Sequence, residues 1–167
     1  MIRDYWLSFN KFMTNATGMQ KFFLVLSRVT IGWMFFYAGI TKVLSPQWSA
    51  EGYLKGAKSF VWFFQALLDP NILPIINIMN KWGLTLLGVS LIVGLFVRFS
   101  SILGVMLMAL YYLALSFPHP NAHSYIVDEH IIYISILLFF ASISAGRVFG
   151  MDSKRVRHHS GFKKWLG

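Results

Sequence analysis

The chain has 167 residues, of which 56% are hydrophobic and only 13% charged, with a mean hydropathy of +0.59 and a formal net charge of +9. Soluble domains are typically about 45–50% apolar and about 25% charged, so the composition excludes an ordinary water-soluble globule and points to a membrane protein. The absence of cysteine excludes a dithiol relay within the chain and any disulfide that would report on compartment.

In chain order, residues 3–13, RDYWLSFNKFM, place Trp6, Phe9 and Met13 at helical spacing opposite Arg3 and Lys11, which predicts a short helix lying in the membrane interface. Residues 21–44 form a first span, closed by Pro46. Two charges inside it, Arg28 and Lys42, and the lack of a small-residue cleavage pattern argue against a removed secretory signal. Residues 47–69 are aromatic-rich but broken by Gly52, Lys55, Gly56 and Lys58. Their apolar part, 60–68, is too short to cross, so an interfacial or re-entrant helical hairpin is expected over about 48–68. Further spans follow at 73–97, with Pro74 in its first turn, at 99–117, ended by Pro118 and Pro120, and at 126–146. Each is close to the roughly 20 residues that cross a hydrocarbon core about 30 Å thick, and a helix satisfies its own backbone there. The expected fold is an all-α membrane protein, a four-transmembrane-helix bundle in one domain over 1–167, with a basic tail at 147–167.

Lysine and arginine near the span ends set the expected orientation. With both termini cytoplasmic, that side receives Arg3, Lys11, Lys21, Arg98, Arg147, Lys154, Arg155, Arg157, Lys163 and Lys164, while Lys42, Lys55, Lys58 and Lys81 lie opposite. The net positive charge is then a topology signal of a multi-pass protein of the cell membrane. The tail SKRVRHHSGFKKWLG is expected to meet anionic lipid headgroups rather than nucleic acid.

The candidate site follows from that topology. Asp128, Glu129 and His130 stand at the outer entry of the fourth span, in SYIVDEHIIY, at the same depth as Lys42 and Lys81. Acids in a first helical turn complement the helix dipole, so a cap is one reading of this triplet. A charge cluster in which Asp128 or Glu129 pairs with Lys42 or Lys81 is the other. In the first span Arg28, Gly32, Phe35, Gly39 and Lys42 share one helical face, and in the fourth Asp128, Ser135, Ser142 and Gly146 do so. The two stripes predict that the first and fourth helices face each other. Arg28 lies about 10 Å inside the span if the helix starts at Lys21, so it should face the interior and bond a carbonyl, a hydroxyl such as Ser142, water or a lipid phosphate.

Three stretches, SRVTIGWMFFYAGITKVL, GLTLLGVSLIVGLFVRFSS and PNAHSYIVDEHIIYISILL, resemble the DoxX family of small four-helix membrane proteins. Within it, the likeness is best to the DoxD-type subunit of thiosulfate:quinone oxidoreductase. The similarity runs from about residue 22 to 147 and rests on Arg28, Gly39, Lys42, Gly94, Arg98, Asn121, Asp128, Glu129 and His130. Many family members carry an acid near the start of the second helix, where this chain has Asn80 and Lys81, so a role for that acid does not transfer.

The resemblance implies a subunit of a quinone-linked oxidoreductase that handles quinone, or a small sulfur oxyanion such as thiosulfate, at its outer face. His130, Glu129 and Asp128 would carry the catalytic proton chemistry. Lys42, Lys81, Arg28, Trp82 and Tyr133 would bind the quinone or substrate, with Trp48 and Tyr125 on the rim. No haem, flavin or metal set is evident: of five histidines only His130 is at a span, although His119 and His123 of HPNAH could join it at the outer face. No phosphate-binding glycine loop is present. The alternative function is a non-catalytic scaffold or assembly subunit, and in either case the partners are the bilayer and other membrane-complex subunits.

Overall fold

The structure is a computed structural model that describes residues 16–116 and 125–153. The interfacial helix expected at 3–13, the loop with His119, Asn121 and His123, and the tail beyond Ser153 lie outside the described residues.

The regular structure among the described residues is all helical, with no strand. Helix α1 (Gly18–Val43) starts at a reciprocal cap: Gln20 N–H donates to the Thr17 hydroxyl at 3.3 Å, and Thr17 N–H donates to the Gln20 side chain at 2.8 Å. Two short helices follow, α2 (Glu51–Lys55) and α3 (Val61–Ala66), in the segment expected to form the hairpin. Helix α4 (Leu73–Val93) has Pro74 in its first turn, where no intrahelical N–H is needed, and ends at Gly94 in the left-handed region at φ 73°. Helix α5 (Val97–Ala114) starts three residues later, and α6 (Glu129–Ser142) completes the set before a 3₁₀ turn at Ala145–Arg147.

Helices α1, α4 and α5 are each long and apolar enough to cross a membrane. Helix α6 is shorter than the expected 126–146 span, at 14 residues, or about 21 Å. Two local features trim it. Asp128 accepts the Ile131 N–H and so fixes the helix start after Ile126 and Val127, and Ser144 adopts φ 47° at the other end.

The stripe of small residues on α1 does not face α6, as expected, but α4. A Cβ on Gly32 would lie 2.9 Å from Leu91 Cβ, and one on Gly39 2.5 Å from the Thr85 hydroxyl oxygen; Gly88 meets the backbone of Phe36 in return. Removing side chains on both helices lets the backbones approach, the usual basis of helix association in lipid. Helix α5 pairs with α6, and Gly104 sits between Leu87 and Leu137. Phe35, Leu84, Leu87, Leu91, Val97, Met108, Leu137 and Phe140 fill the shared core. What α1 does share with α6 is narrower: Phe35 meets Tyr133 edge-on at 5.7 Å.

The α2–α3 segment, the helical hairpin expected over about 48–68, docks on the bundle as a cap. Ala50, Leu54 and Phe64 form a second small core with Ala114 at the end of α5, and Lys58 N–H donates to the Ala114 carbonyl at 2.9 Å. This cap brings Tyr53 to the end of the bundle that carries His130.

Candidate functional site

Asp128 is buried and bridges two partners. One oxygen takes the Ile131 N–H at 3.1 Å, and the other lies 2.7 Å from His130 Nδ1. With Nδ1–H directed at the carboxylate, His130 keeps its Nε2 lone pair for a proton. The cap reading therefore describes Asp128, and the same carboxylate that holds the helix start also orients the imidazole.

Around this dyad stand residues that the sequence pattern did not single out as a site. The Tyr111 ring on α5 lies edge-on to His130 with centroids 5.9 Å apart, and the Asn80 amide on α4 donates to the Tyr111 hydroxyl. Tyr53 in the cap packs on Tyr111 at 5.5 Å and donates its hydroxyl to the Tyr111 carbonyl at 2.7 Å. Burial first, then Tyr111 and Asp128, pushes the Tyr53 hydroxyl up to about 12, so it acts as a donor at neutral pH. Tyr112 ties the approach to α6, its hydroxyl donating to the Ile126 carbonyl at 2.8 Å. Asn80, Tyr111, His130 and Asp128 thus form one polar cluster drawn from three helices.

The two lysines do not pair with the acids. Lys42 Nζ donates to the Ala38 carbonyl of its own helix at 2.7 Å, and Lys42 and Lys81 each lie 5.6 Å from the Trp48 ring centroid. Ion pairs among the described residues include Lys55 with Glu51 and His130 with Asp128. The physical reason is that Asp128 is already engaged by a backbone N–H and an imidazole, while Glu129 in the first turn is exposed. The ammonium groups settle against the indole face instead, a favourable cation–π arrangement. Trp82 is half exposed, and Tyr133 packs on Phe35.

Arg28 belongs to the other end of the molecule. It lies fourteen residues before Lys42, about 21 Å along the helix, and is 1% exposed. Its Nη1 donates to the Ala145 carbonyl at 2.7 Å and the Val148 carbonyl at 3.1 Å, which pins α1 to the turn after α6. Asp152, also fully buried, accepts the Phe96 and Val97 N–H groups at 2.9 and 3.2 Å and so caps α5. Burial pulls the Arg147 guanidinium there down to about 10, with Asp152 opposing and Arg98 reinforcing the effect. This end is built as a structural knot. Among the described residues no group of His, Asp and Glu side chains gathers to hold a metal ion, and His119 and His123 lie outside them.

The DoxX family profile matches residues 23–116, more than half of the chain. The chain belongs to the DoxX family. The matched part of this DoxX protein runs from early α1 to just past α5, so it includes Arg28, Lys42, Asn80 and Tyr111 and stops before Asp128 and His130. No curated protein and no solved structure matches the DoxX chain.

Proposed function

We propose that this DoxX chain is the integral membrane component of a quinone-linked oxidoreductase, set in the cell membrane with both termini cytoplasmic, and that the His130 end manages quinone oxygens and their protons. The observation that carries the reading is the part-buried Asp128–His130 dyad, 2.7 Å apart, with the Tyr111 ring edge-on to the imidazole at one end of a largely apolar bundle. A quinone supplies a two-electron, two-proton couple, and its site needs an apolar surround with a few placed polar groups. Here Asp128 orients His130, His130 Nε2 accepts or returns a proton, and exposed Glu129 offers the exchange with bulk water. Lys42 and Lys81 around Trp48 supply positive charge suited to an oxyanion, including a small sulfur oxyanion, at the same end. Arg28 takes no part, because carbonyls of the opposite end hold it.

One observation favours the scaffold reading. Helix α1 is the least covered of the three long helices, with Phe22, Phe23, Leu26, Trp33 and Tyr37 exposed, a surface that a neighbouring subunit would fit. Quinone-linked turnover of membranes holding the assembled complex separates the two. His130→Ala should abolish turnover while the chain stays inserted and folded, and Lys55→Ala should leave it intact. Full turnover in His130→Ala would favour the scaffold.

A further inference from the structure

Asn80 lies on α4 at the centre of the His130 end and is 9% exposed. Its Nδ2 donates to the Tyr111 hydroxyl, while its Oδ1 is buried with no hydrogen-bond partner among the described residues. An acceptor left empty in a protein interior is costly and calls for an explanation. Turning the amide over does not remove the cost. Oδ1 would then accept from Tyr111, and Nδ2 would be the unfilled atom in the same place. As drawn, Tyr111 accepts from Asn80 and keeps its own hydrogen to donate. A free donor and a free acceptor therefore sit side by side, with the rings of Tyr53 and His130 packed on Tyr111 at 5.5 and 5.9 Å.

This pair suits an oxygen that is a carbonyl in one state and a hydroxyl in the other. A carbonyl oxygen accepts from Tyr111, and a hydroxyl also donates to Asn80. Lys42 and Lys81 carry donors only, so they cannot recognise a hydroxyl hydrogen. We propose that Asn80 and Tyr111 receive a ring oxygen of the quinone–hydroquinone couple, and that Asn80 Oδ1 selects the reduced form. This inference rests on the quinone reading above and names the residues that would make the contact.

The experiment uses the full chain in lipid nanodiscs, with decylubiquinone and, under anaerobic conditions, decylubiquinol as probes, and follows quenching of tryptophan emission. The wild type should bind both, the quinol more tightly by about three- to tenfold, the worth of one hydrogen bond. Asn80→Leu should lose that preference. Tyr111→Phe, which keeps the ring packing, should weaken both probes by about three- to tenfold, and Lys55→Met, at an exposed residue paired with Glu51, should change the preference little. Melting temperatures check that each variant is folded, and Tyr111→Phe keeps the test open if Asn80→Leu is not. Wild-type binding with unchanged affinity and preference in Tyr111→Phe and Asn80→Leu would overturn this assignment while leaving the quinone reading standing. A wild type that binds neither probe would overturn the quinone reading itself, and this assignment with it.

Discussion

The two ends of the bundle treat buried polarity in opposite ways. At the Arg28 end, charge is answered by main chain: a guanidinium on two carbonyls and a carboxylate on two N–H groups. At the His130 end side chains also answer one another, Asp128 with His130 and Asn80 with Tyr111, and an amide oxygen is left over. Main-chain partners cannot move without unwinding the fold, so the first arrangement serves architecture. Side-chain partners rotate and exchange protons, so the second is where chemistry has room to occur.

The sharpest way to break this comparison is at Arg28. Arg28→Met should cost about 3–5 kcal/mol, because it leaves two carbonyls without their donor and removes one of the cations near buried Asp152. Equilibrium unfolding in mixed detergent micelles would read the loss, and a change under about 1 kcal/mol would show that the knot is not structural. Gly39→Ala comes next, at about 1–3 kcal/mol, since the new Cβ meets Thr85 at its backbone and hydroxyl. The same unfolding measurement tests it, and tolerance would mean that α1 and α4 are not in close backbone contact at Gly39.

Asp152→Ala should cost about 1–2 kcal/mol through loss of the α5 cap, read as a lower melting temperature with quinone-linked turnover retained. At the His130 end the order of effects inverts. Asp128→Ala should cost about 1 kcal/mol of stability and most of the turnover, because it removes a helix cap and the orienting partner of His130 together. His130→Ala should be the mildest for stability and among the most severe for turnover.

Much of this fold was legible because hydrocarbon leaves few options. Length and apolarity located α1, α4 and α5, and Pro74 marked a first turn, whereas α4 stops at Gly94, short of the expected residue 97. The length of α6 was less legible, since Ile126 and Val127 continue the apolar run and only the cap at Asp128 excludes them from the helix. A stripe of small residues announces that some helix comes close but carries no label for which one, so Gly32 and Gly39 were matched to α6 when their partner is α4.

In the candidate site, the adjacency of Asp128 and His130 was visible, whereas their partners were not. Opposite charge suggested Lys42 and Lys81, but cap geometry and a nearby indole decided otherwise. Asn80 and Tyr111 were hidden because one polar atom in an apolar run looks incidental until the helices bring two together. Asp152 was hidden in what read as a basic tail. The signal available for it was FGMDS, a glycine and an acid just after the fourth apolar run.

The central claim, that ligand oxygen chemistry belongs to the His130 end, is tested most directly by photolabelling with an azido-quinone. The wild-type chain in native-lipid particles would be irradiated and the labelled peptides mapped. The account predicts labels within residues 48–54, 108–115 or 128–134, suppressed by excess decylubiquinol and reduced in Tyr111→Phe. The contrasting location is the open apolar groove between α1 and α6 at the Arg28 end, lined by Phe23, Ser27, Ile31 and Ile136. Labelling confined to that groove, or no competed labelling at all, would contradict it.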